Sequence, residues 1–449
     1  MATNIIESPD QQTYFAQYGA VDNLDIIGLS GQRYSIKALL LELSYYEDIY
    51  GFAVSGYITL KDAFGIVERL QLTGQEILEV DFGNSKGDPR PAQRFKLYSI
   101  PKRDPIGNLN SEILKIYFCT EEFLLSEQTK VLRSYKGQTV NYMINDILDK
   151  DLVVGINSKN KFIQNTTGKY DFTIPTLKPF EAISWLSTYA LPSINAGADM
   201  LFYETAYGYF FQSLGYMYQQ PIVATYLYSQ KDVSNEPDSN ETVNVLDFEF
   251  VKTFDSLEEI ESGTFANRVI SLDPITRTKR VTDFDYNQYK STASLMNPSD
   301  VLATSKNKLG KTQNQSYTGK LKLVTGNSGQ KLKLTNLPNN AIAEDIFIEK
   351  TLPNRTAQLS LSNYTLLKLR VPGKSTLTAG KTIQFNLVSY ATVDNQKNLD
   401  AYYSGKYLIT AIRHVIQGDD TYQCILEIAK ESTPNKLPSE STIINNPLG

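Results

Sequence analysis

Among 449 residues there is one histidine, one tryptophan and two cysteines, and each scarcity removes a class of chemistry. A catalytic triad needs an imidazole beside a nucleophile and an orienting acid. His414, in Ala411-Ile-Arg-His-Val-Ile416, has no such company in sequence, and no G-x-S-x-G elbow occurs. It reads as a structural residue near the end of a strand. Cys119 and Cys424 cannot build a disulfide framework. One bridge between them is an open reading; a reducing compartment is the simpler one. Zinc needs clustered Cys, His or carboxylate ligands, which these residues do not supply. No run approaches the ~20 apolar residues of a membrane span. The opening MATNIIESPDQQ lacks the basic start and apolar stretch of a signal peptide, so secretion by that route is not expected. Positive charge is also short: the formal net charge is −5, which argues against gripping nucleic-acid phosphates.

What the chain does have is tyrosine and phenylalanine, 29 and 20 of them, on a globular composition and a length suggesting about three domains. Residues 1–125 read as β. Leu78, Val80 and Phe82 alternate with Ile77, Glu79 and Asp81, the period of a half-buried strand. Phe95–Ile100 and Ile113–Thr120 are further strands. From 126 to 242 the pattern turns α/β. Val140, Ile144, Ile147 and Leu148 form a helical stripe within Gln138–Asp149. Pro179 opens a second helix to Ala190, and Met200–Glu204 with Tyr207–Gln212 make a strand pair. Residues 243–284 and 366–432 return to β. Residues 285–365 carry little pattern and read as an insertion, with a helix near Pro298–Leu309, and 433–449 read as a flexible tail. The expected fold class is mainly β with a smaller α/β part.

The two β regions share a spacing. Leu72-Thr-Gly74-Gln-Glu-Ile77 opens a strand ending at Phe82, and Leu377-Thr-Ala-Gly380-Lys-Thr-Ile383 one ending at Leu387. Ile100 precedes Ile113 as Ile412 precedes Ile425. Two readings stand side by side: hairpins of similar length, or two copies of one β-barrel domain.

Other candidate sites fail on their own requirements. Gly310-Lys311-Thr312, Gly373-Lys374-Ser375 and Gly380-Lys381-Thr382 imitate a phosphate loop, but its upstream glycine is replaced by Ser305, Lys368 and Ser375. They read as turns. In the acidic stretch Asp232–Glu241, Pro237 stands where a calcium loop needs glycine. Glu258, Glu259 and Glu261 read as a charged turn or helix start, although a glycoside hydrolase needs only two carboxylates. Arg277–Arg280 is a short basic patch, read as a solvated strand edge. No catalytic, cofactor-binding or metal residue is assigned.

One resemblance spans most of the chain outside 285–365. Within Leu41–Phe82, a strand and an acidic-aromatic turn lead to Gly56, Leu60 and Asp62, then Leu70, Leu72, Gly74 and Glu76. Leu201–Glu204 leads to Gly208–Leu214. Phe254 and Asp255 lead through Gly263 to Asp273, and Gly405 opens a closing hairpin. In this order the segments resemble bacteriophage contractile-tail baseplate hub proteins, related to the hub part of secretion-system spike proteins.

The resemblance implies two tube-type antiparallel β-barrel domains, 1–125 and 243–284 with 366–432, flanking an α/β middle domain at 126–242. It implies a homotrimer whose six barrels form a pseudo-sixfold ring, a structural virion protein with no enzymatic role and no cofactor. Such a hub adapts the sixfold tail tube to the threefold central spike. Its channel, expected to be acidic, passes phage DNA without specific binding. Partners would be the tail tube or its initiator, the tape measure, other baseplate proteins and a spike on a separate chain, since no glycine-patterned β-helix follows. The location implied is the tail baseplate, after assembly in the host cytoplasm. The alternatives are a tail-associated cell-wall hydrolase and a receptor-binding tail-tip module.

Overall fold

The computed structural model describes residues 19–84, 93–107, 111–154, 159–194, 197–229, 242–273, 277–289, 294–301, 308, 321–325, 348–389, 399–418 and 420–435, and its centre is one sheet of fourteen strands. The first seven are β1 (Gly19–Ile27), β2 (Arg33–Ser35), β3 (Leu40–Asp48), β4 (Ser55–Asp62), β5 (Ile77–Asn84), β6 (Gln93–Pro105) and β7 (Glu112–Cys119). They are hydrogen-bonded in the order β3-β4-β7-β6-β5-β1-β2. Their alternation drives the arrangement: in β4, Gly56, Ile58, Leu60 and Asp62 point into the core and the residues between them do not.

A middle unit follows. Helix α1 (Val140–Lys150) buries Val140, Met143, Ile144, Ile147 and Leu148. In α2 (Pro179–Ser187), Pro179 occupies the first turn, where its missing N–H costs nothing, and Glu181 reaches back to the Lys178 amide at 3.2 Å. Both helices pack on a hairpin of β8 (Met200–Thr205) and β9 (Gly208–Ser213). Helices and hairpin therefore stand where the 3.6- and 2-residue periods place them.

The second seven strands of the large sheet are β10 (Ile222–Tyr228), β11 (Thr242–Asn244), β12 (Asp247–Lys252), β15 (Thr365–Pro372), β16 (Thr382–Leu387), β17 (Gly405–Gln417) and β18 (Tyr422–Lys430). A separate hairpin, β13 (Ala266–Asp273) and β14 (Thr278–Asp285), lies between β12 and β15 in sequence. The order is β12-β15-β18-β17-β16-β10-β11, which repeats the first half strand for strand. β6 and β17 are each 13 residues long. Each carries a bulge at the matching place, between Leu97 and Ser99 and between Ile409 and Ala411. The repeat departs at β10, which pairs in parallel with both β16 and β11, whereas β1 is antiparallel to both β5 and β2. The equal spacing to Ile113 and Ile425 also fails. Leu97 faces Phe118 and Ile409 faces Ile428, which aligns Ile113 with Gln423.

The halves are joined through β17. β18 covers one side of it; on the other side β16 covers Gly405–Leu408 and β3 covers Ala411–Gln417. Two separate barrels were expected. Among the described residues the ladders instead form one branched sheet, with no closed ring of pairing. The cause is length: β16 leaves the second half of β17 unpaired, and a buried row of backbone amides must find partners. One core runs under both halves, from Leu24 and Phe118 to Phe385 and Leu426.

Three expectations are corrected. Ser299 and Asp300, expected in a helix, are extended and pair with Ser432 and Thr433; 302–307 and 309 lie outside the described residues. The same pairing buries Glu431, Ser432 and Thr433, so the start of the expected tail is held down. Within 285–365, α4 (Ile348–Ser362), with Pro353 inside it, was not expected; its Ala357 and Leu361 share a small core with Phe265, Tyr286 and Val301, and a short helix α3 (Ser256–Ser262) precedes that core in the chain. Gly310–Thr312, Asp232–Glu241, and 436–449 also lie outside the described residues.

Candidate functional site

The motif residues shape local backbone and are not gathered at one site. A Cβ on Gly56 would stand 2.2 Å from the Ser44 carbonyl oxygen and 2.4 Å from the Phe118 ring, so only glycine lets β3, β4 and β7 approach. Leu60 is core. Asp62 accepts the amides of Phe64, Gly65 and Ile66 at 2.7, 3.0 and 2.6 Å, fixing the turn after β4. Glu76 does the same for Thr73 and Gly74 at 2.7 and 2.8 Å. Burial raises its pKa, but those amide bonds outweigh it and hold the carboxyl below its usual range. Gly74 has φ +87°, and Leu72 packs half-buried against the core. Asp255 caps α3 through the amides of Leu257 and Glu258, and Gly263 closes it with φ +72°. Phe254 is 63% exposed. Asp273 ends β13, paired with Thr278. Gly405, φ +137°, opens β17, where a Cβ would meet Pro434 at 2.8 Å.

The side chains that join distant parts went unnoticed in the sequence. Glu47, on the core face of β3, is buried where three segments meet. Its Oε1 accepts the Ala206 amide at 2.7 Å and the Tyr45 hydroxyl at 3.1 Å; its Oε2 accepts the Ala379 amide at 3.0 Å. Gln93 adds a bond to the Ala206 carbonyl at 2.7 Å. Burial pushes the Glu47 carboxyl up to about 7, against those hydrogen bonds. A second knot lies nearby. Glu204 of β8 accepts the Val54 amide at 3.0 Å and the Thr120 hydroxyl at 2.9 Å, and Lys159 bridges it to Glu122. The only sequence signal was parity: Glu47 falls in step with Leu43 and Tyr45, which face inward.

His414 sits on the core face of β17 between Tyr45 of β3 and Cys424 of β18. Its Nδ1 lies 2.8 Å from the Tyr422 hydroxyl and 3.3 Å from the Cys424 sulfur. Burial depresses the imidazole to about 3 and raises the thiol to about 12. An activated Cys–His pair requires the opposite shifts, so this is a neutral core contact. Cys119 and Cys424 are both free thiols. Among the described residues no group of three or more potential metal ligands occurs, and no helix is long and apolar enough to cross a membrane. Gly373–Ser375 and Gly380–Lys381 are the turns they were read as, and Glu258, Glu259 and Glu261 lie on α3.

Two strand edges occupy related places in the repeat. Among the described residues β12 pairs only with β15, and beyond the bulge β6 pairs only with β7. In the repeat, β12 occupies the place of β3, and the second half of β6 the place of the β17 segment that β3 covers. Beside the β12 edge, Val251, Phe254 and Leu257 are 50%, 63% and 75% exposed. The face of the sheet turned from the core carries both signs of charge, partly paired across strands. Arg413 meets Glu42 at 2.8 Å, Arg370 meets Asp247 at 3.7 Å, and Lys115 lies 3.6 Å above the Tyr57 ring. A groove of about 790 Å³ on this face includes Asp48, Glu249 and Glu427.

No protein-family model matches the chain. A protein of Vibrio phage KVP40, described as a probable baseplate hub protein, is 23% identical over an alignment of 421 positions that covers 89% of this chain and 92% of that one. The chain resembles phage baseplate hub proteins. The tail protein of Neisseria meningitidis MC58 shares the fold, with a TM-score of 0.53 at 11% identity over 91% of this chain and 96% of that one. So does the 43 kDa tail protein of prophage MuSo2 from Shewanella oneidensis, with a TM-score of 0.52 at 9% identity over 91% and 98%. The resemblance read from the sequence order of weak motifs thus has a curated counterpart over most of the chain.

Proposed function

We propose that the chain is a non-enzymatic structural subunit of a phage tail baseplate hub, and that three copies close a ring of six similar sheet segments. The observation that carries this is the repeated strand order together with its unequal completion. Within one chain β3 fills the second half of β17; the equivalent edge of β12 and the equivalent side of β6 stay open. A neighbouring copy that sets its β12 against β6 repeats the internal joint between chains, and each copy both gives and receives one edge. Three copies then offer six similar segments, a surface that can meet sixfold symmetry on one side and threefold on the other. Pro101 and Pro105 lie in this part of β6, which suits a short edge pairing better than a long ladder.

In such a ring the face turned from the core would line the channel. Its paired charges make that wall balanced, not acidic as expected from the sequence. DNA would slide because Arg413 and Lys115 are engaged by Glu42 and Tyr57, not because the wall repels it. Tube, tape measure, other baseplate proteins and a separate spike would be its neighbours in the virion, assembled in the host cytoplasm. The domain boundaries at 125, 242, 284, 365 and 432 are part of this proposal, with β10 carried by the second sheet segment.

Mass photometry of the purified chain, followed by negative-stain averages, tests the reading. A particle near three times 50.5 kDa with a central opening is expected. A monomer throughout the micromolar range, or a ring of another copy number, overturns it. The hydrolase reading has one foothold, the groove beside Asp48, whose carboxyl burial pushes up. Peptidoglycan clearing that disappears in Asp48→Asn would favour it.

A further inference from the structure

A pocket of about 230 Å³ lies beside the bulge of β6, lined by Leu72, Gly74, Leu97, Tyr98, Ile100 and Ile116 among others. A cavity of ~150 Å³ already holds a benzene ring, so this one has room for a large side chain. Its walls are apolar but, among the described residues, left open: Leu72 and Ile100 are half-buried and Tyr98 is 48% exposed.

The second half of the sheet shows the same place filled. The Leu97 amide donates to the Glu76 carbonyl at 3.1 Å, and the Ile409 amide to the Lys381 carbonyl at 2.8 Å. These matching bonds align Leu72-Thr73-Gly74 with Leu377-Thr378-Ala379, and Tyr98 with Thr410. There β3 runs across: Glu47 accepts the Ala379 amide, and Ile49 donates its amide to the Thr410 carbonyl at 2.9 Å. Ile49, Leu377 and Ile412 are all buried. β12 stands in the repeat where β3 stands, with Phe250 facing Leu367 as Tyr45 faces Gly56. Counted past the bulge at Val251, the place of Ile49 falls on Asp255. That residue is engaged in capping α3, and the large apolar side chains flanking it are Phe254 and Leu257, both exposed.

We propose that Phe254 of one copy, with Leu257 beside it, seats in the Leu72–Ile100 pocket of the next copy and anchors the joint between them. This rests on the pairing of β12 with β6 proposed above and names what holds it. A flat edge pairing offers backbone bonds alone, whereas an aromatic side chain in a pocket supplies the desolvated centre that most of an interface's energy comes from. Charge agrees in sign. β6 carries Arg94, Lys96, Lys102 and Arg103 to one acid, Asp104, while α3 carries Glu258, Glu259 and Glu261 and no base. The contact is head-to-tail, so each copy gives one anchor and receives one.

The test uses the full chain with Thr73→Cys and Ser256→Cys together, two exposed positions at the pocket rim and beside the anchor. A short bis-maleimide is added at a concentration where mass photometry shows the trimer. Cys119 and Cys424 are buried, so the wild-type chain should stay unlinked, and a covalent trimer of the double variant is expected. Phe254→Ala should raise the dissociation constant of the trimer about tenfold or more. Leu132→Ala, which trims another exposed side chain in the middle unit, should leave it unchanged. Circular dichroism checks each fold; if the cysteine variant does not fold, Phe254→Ala decides alone. A trimer in which the two cysteines are not linked between chains, or one that Phe254→Ala weakens no more than Leu132→Ala, overturns the anchor and leaves the hub reading standing. A wild-type chain that stays monomeric throughout the micromolar range overturns both.

Discussion

The Glu47 carboxylate accepts the backbone amide of Ala379 at 3.0 Å, across 332 positions of chain. This contact ties the first half of the sheet to the loop that opens β16 in the second.

Stability at this contact should depend on pH. The folded pKa of Glu47 is about 7 against 4.5 for the free side chain. Between those values the folded chain holds a proton that the unfolded chain has released, so stability falls as pH rises from about 4.5 to 7. The loss is about 3 kcal/mol. Glu47→Gln should remove this slope, at a constant cost of about 1–3 kcal/mol for the misdirected amide. Urea unfolding of both proteins at a series of pH values reads it; parallel curves would mean that Glu47 titrates normally.

His414 contributes the opposite slope. Its folded pKa is about 3 against 6.5 when free. Below pH 6.5 the unfolded chain takes up the proton and the folded chain does not, so stability is lost as pH falls. From pH 6.5 to 4 that is about 3 kcal/mol. His414→Gln should unfold at a lower pH than the wild type would if both were equally stable at pH 7. An acid titration followed by tyrosine fluorescence, normalised to stability at pH 7, compares them.

Gly56→Ala should cost about 3 kcal/mol or more, because its Cβ would meet the Ser44 carbonyl at 2.2 Å, which cannot yield without moving β3. Gly51→Ala is the control. Its Cβ would meet Asp48 at an ordinary 3.5 Å, and a change within about 0.5 kcal/mol is expected. Equal losses in chemical denaturation would refute the close-approach argument.

Val251→Pro addresses the open edge. Val251 is the bulged residue of β12, between Phe250 paired with Leu367 and Lys252 paired with Leu366. Proline there falls on the residue that the β12–β15 register skips and takes a donor from the edge strand. If the proposed trimer forms, light scattering should show it reduced to single chains in this variant while the unfolding midpoint of the chain changes little. A trimer that survives in Val251→Pro and in Phe250→Asp would move the interface elsewhere.

What could be read from sequence was what is local. Leu78, Val80 and Phe82 announced β5, and the α1 stripe announced its helix, because side-chain period alone sets those. Asp62, Glu76 and Asp255 were singled out by position, and each proved to hold its own neighbouring amides, so the motif was a record of turns rather than of a site. The β3–β17 joint was hidden because no residue of either strand signals a partner so far away. Nothing in the sequence set Glu47 apart from the other acids. α4 escaped because Pro353 interrupts a polar stretch, and its packing on the β13–β14 hairpin, not its propensity, holds it.

The joint also sets a timetable. Arg413 and Ser44 bond across 369 positions, so β3 must wait for almost the whole chain before its outer edge is covered. At about 5–20 residues per second that wait is roughly 20–70 s on the ribosome, with a row of amides in a β-prone segment exposed throughout. Truncation before β17 therefore leaves a sticky edge rather than a smaller stable protein. A helper that occupies that edge during synthesis would raise the yield of soluble chain.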